Sequence, residues 1–338
     1  MEQEYKYIVC TRCFTFNQSA YILEALNGFA MQETTFPVVT LIVDDASTDG
    51  EQNVIRQYLE KCFQEPFRTE ETEYAHIICA HHKTNLNCEF VVFLLKYNHY
   101  SIKKPNLPYL SEWLENAKYH AICEGDDYWK SPRKLQMQVD FLENHQDYVM
   151  CHTDFDLSNG AKRNHSVVQM PDDNYFPDII FKGQQIGTAT TLYLKEAYQR
   201  IPKLYQGKSW PMSDLPMWIE MSKEGKIKFF PTVTTCYRVS DDSASHGSLE
   251  KELLFLKTSV EIRMYYANHY GLELPYNGYG KGYYSTVMKC AYKHKSKKIA
   301  KECFINAFHS NMISVKTIVF MGATYIPLLD RIIRLIWR

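Results

Sequence analysis

The most informative segment of the chain is the acidic run EGDD at positions 124–127. It follows the apolar segment 119–123, which we predict to be a strand. Because successive side chains of an extended chain point to opposite sides, Glu124 and Asp126 project to the same side of the strand's carboxyl end. Two carboxylates placed in this way can bind a hard divalent cation, as a protein does when it holds a metal diphosphate.

A second pair of acids, Asp44 and Asp45, follows the apolar run 38–43. The carboxyl edge of an open α/β sheet is where such sheets bind ligands. A carboxylate there can accept hydrogen bonds from a base ring NH or from ribose hydroxyls. Helix capping is the structural alternative, and it suits Asp49 better than the adjacent pair. We therefore predict that Asp44 and Asp45 contact a nucleotide.

The elements that must position these acids alternate between strands and helices. We predict strands over 7–14, 38–43, 75–80, 119–123, 148–155, 189–194, 226–230 and 233–238. We predict helices over 19–31, 53–63, 89–97, 111–117, 131–144 and 214–223. This alternation indicates an α/β fold with a mostly parallel central sheet covered by helices on both faces.

The remaining segments suggest a loop and a second domain. Residues 156–187 show little periodicity, as is typical of a loop over a site. The chain reads as helical beyond Ser248, and we place a domain boundary near residue 245. The expected organisation is thus a catalytic domain over 1–245 and a helical carboxyl-terminal region over 246–338.

Composition narrows the class of protein. The 338 residues include 38 basic and 39 acidic side chains, which gives a formal charge of −1 and no electrostatic case for a nucleic-acid partner. Ten scattered cysteines favour free thiols in a cytosolic protein. The acidic, polar amino terminus has no features of a secretory signal. We therefore expect a cytoplasmic location.

The carboxyl-terminal segment 313–337 is largely apolar, but four charged residues and Pro327 interrupt it. This pattern argues against an ordinary membrane-spanning helix. Two alternatives are open: a short basic amphipathic helix that rests on the inner face of the cytoplasmic membrane, or a terminal helix that packs on the protein's own body.

Three runs taken as an ordered set resemble glycosyltransferase family 2. They are CTRCFTFN at 10–17, DDASTD at 44–49 and EGDDYW at 124–129, and the resemblance covers roughly residues 5–240. It implies a GT-A-like, Rossmann-related fold and a metal-dependent transfer of sugar from a nucleotide donor, with inversion at the anomeric carbon. The implied cofactor is Mn²⁺ or Mg²⁺.

The resemblance also assigns roles to individual residues. Thr15 and Asn17 match the first nucleotide-contacting turn, and the pair Asp44 and Asp45 matches the acids that bind base and ribose. Glu124 and Asp126 match the two acids of the DxD metal motif, although the usual first residue is Asp.

Asp214 matches the catalytic base at the start of a helix, whereas Ser213 replaces the usual second acid. An acid in a helix's first turn is also a common structural residue. Other residues could serve the metal, the diphosphate, the donor sugar or the acceptor. These are His246, Arg238, Asp127, Trp129, His152 and Asp154. Their structural alternatives are a solvated histidine, a paired arginine and a tryptophan that fills the core.

The sequence is therefore interpreted as a metal-dependent inverting glycosyltransferase that uses a nucleotide sugar, with a UDP-sugar as the first expectation. The acceptor is a saccharide or a lipid-linked saccharide, in assembly of a surface polysaccharide. The alternative is a non-catalytic nucleotide-sugar-binding protein of the same fold. A nucleotidyltransferase would need a glycine-rich basic phosphate loop after the first strand, and residues 15–18 do not form one.

Overall fold

The computed structural model describes residues 4–160, 173–183, 186–239 and 247–336. The strands are β1 Tyr7–Thr15, β2 Val38–Asp44, β3 Arg68–Glu71, β4 Ala75–His81, β5 Cys88–Leu95, β6 Ala117–Ile122, β7 Tyr128–Trp129, β8 Tyr148–Leu157, β9 Thr191–Leu194 and β10 Lys226–Tyr237. The helices are α1 Ile22–Ala30, α2 Glu51–Cys62, α3 Ser111–Glu115, α4 Lys134–Asn144, α5 Asp178–Lys182, α6 Lys195–Arg200, α7 Asp214–Glu224, α8 Leu249–His269, α9 Lys281–Lys293, α10 Lys297–His309, α11 Val315–Tyr325 and α12 Pro327–Ile336. The predicted α/β class is confirmed.

All ten strands belong to one sheet, in the order β3-β4-β5-β2-β1-β6-β9-β8-β10-β7. Its central strands β5, β2, β1 and β6 are parallel to their neighbours in that group. Strands β3, β4, β7 and β9 run antiparallel to their partners, so the sheet is more mixed than the sequence pattern indicated. The parallel centre brings the carboxyl ends of β1, β2 and β6 to one edge.

Helices cover both faces of this sheet, as predicted. On one face, α1, α2 and α4 pack through residues such as Leu26, Ile55 and Leu135 against the larger core. On the other face, Leu110 and Trp113 close a smaller core over β1, β2, β4 and β5. The central strands are therefore buried on both sides, which explains their continuous apolar sequences.

The predicted helix over 89–97 is wrong, because this segment forms β5. All eight residues of Cys88–Leu95 are buried, and a short apolar run of this kind fits a strand and a buried helix equally well. The two strands predicted over 226–230 and 233–238 form the single strand β10. Its register shifts between Phe230 and Val233, around Pro231, which lacks a backbone donor.

The boundaries of other helices also differ from the prediction. Helix α1 begins at Ile22 rather than at Ser19, and α3 is only five residues long. Helix α4 begins at Lys134, so the prediction of Ser131 as its N-cap and Pro132 as its first residue is wrong. The ten cysteines are all free, as predicted, and all except Cys62 are buried.

Contacts divide the chain into two compact units. The first is formed by Met1–Tyr175, Gln185–Pro202 and Glu220–Arg238, and the second by Phe176–Gln184, Lys203–Ile219 and Val239–Arg338. Helices α8 to α12 belong to the second unit, in which Met288, Cys303 and Phe320 are part of a separate apolar core. In the part of the chain that is described, every helix is too short or too polar to cross a bilayer.

An ion-paired carboxylate stabilises the second unit. Glu252 on α8 is buried and lies 2.6 Å from Lys293 Nζ and 3.2 Å from His294 Nε2. Burial acts to raise the pKa of Glu252, but its interactions with Lys293, Cys290 and His294 outweigh burial and lower the pKa to about 2. The pairing thus favours the charged form of Glu252 in the folded state.

We predict that Glu252→Gln lowers the free energy of unfolding by about 1–3 kcal/mol at pH 7. The folded-state pKa lies below the unfolded value of about 4.3, so this stabilisation is complete above that pH and is lost as pH falls toward 2. The difference between wild type and variant should therefore shrink by more than half between pH 7 and pH 3, measured by thermal or urea unfolding. Glu261→Gln, at an exposed position of the same helix, is the control. An equal difference at both pH values would contradict the prediction.

Candidate active site

The loops that follow β1 and β2 are joined by hydrogen bonds at the carboxyl edge of the sheet. The amide of Asp45 donates to the carbonyl of Thr15 at 2.9 Å. The amide of Asn17 donates to Ser47 Oγ at 2.9 Å, and Asn17 Oδ1 accepts from the amide of Thr48 at 2.8 Å. Asn17 has a φ of +53°, a conformation that Asn adopts more readily than most residues. The predicted residues Thr15, Asn17 and Asp45 are thus brought together.

A buried carboxylate that the sequence analysis missed organises these loops. Glu51, the first residue of α2, is fully buried and accepts from the Thr15 hydroxyl. Its Oε2 accepts from the amide of Gln18 and from Ser47 Oγ, both at 2.8 Å. Burial raises the pKa of Glu51. An acid at the start of a helix, after a Ser- and Thr-rich turn, was the available signal, but it reads equally well as an ordinary first-turn acid.

Asp44 and Asp45, which were predicted to contact a nucleotide, both accept hydrogen bonds from backbone amides of the protein. Asp44 is fully buried, and its Oδ1 accepts from the amide of Ser47 at 3.1 Å and from Gln52 Nε2 at 2.6 Å. Its Oδ2 is buried and has no hydrogen-bond partner among the described residues. The two oxygens of Asp45 accept from the amides of His99 at 2.7 Å and Tyr100 at 3.0 Å.

The acidic run 124–127 continues from β6 into the same edge. Oε2 of Glu124 accepts from the amide of Phe14 at 3.1 Å, and the amide of Gly125 donates to the carbonyl of Phe14 at 3.1 Å. A Cβ at Gly125 would collide with the side chains of Thr15 and Gln18. Only glycine allows this turn to lie so close to the end of β1.

Three carboxyl groups are crowded together in this turn. Burial, and to a lesser extent the charge of Asp126, raises the pKa of Glu124 to about 7. Burial and the charge of Asp126 likewise raise the pKa of Asp127 to about 8. Burial also raises the pKa of Asp126 itself, against hydrogen bonds from its own backbone and the charge of Arg238. Such a group of carboxylates is suited to a cation.

Arg238, just beyond β10, holds the acidic turn in place. Its amide donates to Asp127 Oδ1 at 2.7 Å, and its Nε donates to the carbonyl of Asp126 at 2.8 Å. The guanidinium also contacts the carboxylate of Glu24 and lies 4.3 Å from the centre of the Tyr21 ring. Arg238 therefore pairs with a structural carboxylate and also touches the candidate site.

Three other predicted residues are buried in the first unit. Trp129 packs edge-on against Phe29, its Nε1 donates to the carbonyl of Ala189 at 2.8 Å, and its ring belongs to the core. His152 is buried with its Nε2 2.8 Å from the Tyr175 hydroxyl. Asp154 is also buried, and its Oδ1 accepts from the amide of Phe155 at 2.9 Å.

Two further residues were predicted for the site, Asp214 and His246. Asp214 is the first residue of α7, in the second unit, and its Oδ1 accepts from the amide of Leu215 at 2.8 Å. His246 lies outside the described residues.

The donor set of the acidic turn fits a divalent metal bound together with a substrate. Among the described residues there is no group of three or more His, Cys, Asp or Glu side chains arranged around one metal position. Mg²⁺ and related ions at phosphate sites commonly use one or two carboxylates, with phosphate oxygens and water as the other ligands. Glu124 and Asp126 are the residues that could provide these carboxylates.

Comparisons of the sequence with known proteins give distant relatives. No protein-family model matches the chain. It is 26% identical to an uncharacterised protein of Mycobacterium tuberculosis strain H37Rv over 257 residues, which cover 72% of this chain and 62% of that protein. It is also 26% identical to the putative glycosyltransferase EpsE of Bacillus subtilis over 210 residues, 60% of this chain and 62% of EpsE. The chain thus spans less than two thirds of the length of these relatives.

A solved mannosyltransferase has a similar fold. The mannosyltransferase PcManGT of Pyrobaculum calidifontis, in complex with GDP-Man and Mn²⁺, superposes with a TM-score of 0.51 at 14% identity, over 98% of this chain and 88% of that one. Staphylococcus aureus TarS 1-349, in complex with UDP-GlcNAc, gives a TM-score of 0.49 at 14% identity, over 96% and 92% of the two chains. The likeness to the mannosyltransferase establishes a glycosyltransferase-like fold for this chain.

We predict that Gly125→Ala destabilises the first unit by about 1–3 kcal/mol, because the added methyl group overpacks the contact with Thr15 and Gln18. Thermal unfolding measures the effect. Gly282→Ala is the matched control, since a Cβ there meets nothing within 4 Å. Unchanged stability of Gly125→Ala would show that the turn is not confined as described.

We also predict that Glu51→Gln lowers the free energy of unfolding by about 2–4 kcal/mol, because an amide cannot accept from all three donors that converge on this carboxylate. Urea unfolding would measure the loss. Glu60→Gln, at an exposed position of the same helix, should change stability by less than about 0.5 kcal/mol. Similar effects of the two substitutions would exclude a special role for Glu51.

Proposed function

We propose that this protein is a metal-dependent inverting glycosyltransferase that takes a sugar from a nucleotide diphosphate donor. The observation that carries the proposal is the convergence of the carboxyl ends of β1, β2 and β6. The turn with Glu124 and Asp126 is hydrogen-bonded to Phe14. Gly125 of the same turn lies against Thr15. This edge is where open α/β sheets bind nucleotides. The glycosyltransferase-like fold supports the same conclusion.

The nucleotide is proposed to bind over the joined loops after β1 and β2. Asn17 is exposed there, and both loops carry hydroxyl, amide and carboxylate groups that suit ribose and a base. Asp44 is buried, and its Oδ2 has no hydrogen-bond partner among the described residues. We take UDP as the first nucleotide to test and GDP as the second.

Mn²⁺ or Mg²⁺ is proposed to be held by Asp126, with Glu124 in support. When bound, the metal would supply Lewis-acid assistance to the departing diphosphate. Arg238 holds the turn that carries both acids. We propose that its positive charge also neutralises the diphosphate. His246 stays a predicted additional contact.

Asp214 is proposed to accept the proton of the acceptor hydroxyl as that hydroxyl attacks the anomeric carbon. Attack from the face opposite the leaving nucleotide gives a product of inverted configuration. The start of helix α7 fixes Asp214 through its bond to the amide of Leu215. The acceptor is proposed to be a saccharide or a lipid-linked saccharide.

A second candidate is a nucleotide-sugar-binding protein without turnover. The observation that favours it is the pair of departures from the family pattern: Glu124, whose Oε2 is already engaged by the amide of Phe14, and Ser213 in place of an acid. This candidate shares donor binding with the first and differs from it in the chemical step.

We predict that UDP or a UDP-sugar binds in the presence of Mn²⁺ and that EDTA abolishes the binding, measured by calorimetry on the purified protein. Asp126→Asn should weaken the metal-dependent binding at least about tenfold, because it removes a charged ligand. Asp140→Asn, at an exposed position of α4, is the control. Absence of binding by UDP-, GDP- and dTDP-sugars alike would contradict the proposal.

Asp214→Asn separates the two candidates. For a transferase, the variant should bind donor with unchanged affinity. Its rate of sugar transfer or donor hydrolysis should fall at least about 100-fold. For a binding protein, wild type and variant should both bind donor, and neither should release sugar from it.

A further inference from the structure

Helices α11 and α12 each bury only one side in the second unit. On α11, Thr317, Phe320 and Ala323 are buried, and on α12 the side chain of Ile333 packs against the same core. Gly322 lies against Leu329, so that the two helices meet closely. Their other sides remain exposed.

These exposed sides are apolar. Eight large side chains along them keep between 42% and 78% of their surface accessible, and we call them the exposed apolar face. They are Val315, Ile318, Val319, Tyr325, Ile326, Leu328, Ile332 and Leu335. Their spacing of three, four and seven residues places the members on each helix along one stripe. Exposed apolar side chains grouped in this way indicate an interaction site.

Positive charge borders the exposed apolar face. Lys297 Nζ lies 5.6 Å from the centre of the Tyr325 ring, and the Tyr325 hydroxyl donates to the carbonyl of Lys297 at 3.0 Å. Lys316 and Arg331 are exposed at neighbouring positions of α11 and α12. The single acid of these two helices, Asp330, is engaged by Arg334 at 2.9 Å and by the Tyr292 hydroxyl at 2.6 Å.

The charge of this part of the chain is unlike that of the whole. Residues 281–338 contain eleven Lys and Arg but only two Asp and Glu, a net charge of +9, whereas the full chain has a net charge of −1. A protein partner could match the apolar stripe, but a large excess of positive charge around it is the composition of helices that lie on anionic lipid.

We propose that the exposed apolar face docks on the surface of an anionic lipid bilayer. The side chains of Leu328, Ile332 and Leu335 insert into the acyl boundary, while Lys297, Lys316 and Arg331 contact lipid head groups. Lysine and arginine suit this border because their long stems reach from apolar surface to charged groups. Docking on the surface requires no spanning helix, and it stands independently of the proposed reaction.

Vesicle co-sedimentation tests the proposal with the full chain. The wild type should bind vesicles of phosphatidylcholine with 30% phosphatidylglycerol, and should bind vesicles of phosphatidylcholine alone at least about tenfold more weakly. Raising NaCl from 0.1 to 0.5 M should weaken the binding to anionic vesicles.

Two sets of substitutions identify the surface. The triple variant Leu328→Asn, Ile332→Asn and Leu335→Asn should lose at least about tenfold in vesicle affinity. The triple variant Lys297→Gln, Lys316→Gln and Arg331→Gln should lose at least about tenfold on anionic vesicles. Leu254→Asn and Leu86→Asn remove exposed leucines elsewhere and serve as controls. All these positions are exposed, and thermal unfolding verifies that each variant is folded.

Three outcomes would overturn the proposal. The first is no binding of the wild type to anionic vesicles, and the second is equal binding of wild type and apolar triple variant. The third is a concentration-dependent dimer, seen by light scattering, that the apolar variant loses while vesicle binding is absent. That result would assign the exposed apolar face to a contact between two copies of the chain.

Discussion

The candidate site depends on one buried carboxylate. Glu51 accepts hydrogen bonds from the loop after β1, through Thr15 and Gln18, and from the loop after β2, through Ser47. Removal of such a group from water is unfavourable unless its oxygens are satisfied, so the donors must keep their positions. Because Gly125 lies against Thr15 and Gln18, the turn after β6 is fixed by the same contacts.

The electrostatics of the site follow from this packing. The three acids of the turn 124–127 are crowded and largely removed from solvent, with Arg238 as the positive charge in contact with their turn. Burial makes their charged forms unfavourable, and a cation would remove that penalty. Burial of these carboxylates therefore destabilises the fold locally, and the packing around them compensates for that cost.

Much of the fold could be predicted from the sequence because periodic apolar patterns report burial directly. Strands β1, β2 and β6 and helix α2 were predicted close to their observed bounds for this reason. Strand β5 was not, because a segment buried on all sides loses the period that separates strand from helix. The direction of β4 depends on a pairing with β5 that no local pattern specifies.

The site was predictable in part for the same reason. Acids after apolar strands predicted a shared edge of the sheet, and they lie together at that edge because parallel strands bring their carboxyl ends together. The partners of those acids could not be predicted: Asp45 holds the amides of His99 and Tyr100, more than fifty residues away. The core position of Trp129 likewise follows from contacts with Phe29 and Ala189 that are distant in sequence.

The segregation of charge along the chain has a kinetic consequence. With a net charge of +9 in residues 281–338, the preceding 280 residues carry −10, so the charge of this nearly neutral chain is strongly segregated along its length. A negatively charged surface attracts the basic segment and repels the acidic remainder of the chain, which favours encounters through the basic segment before any contact forms. Salt would slow this arrival by screening the attraction.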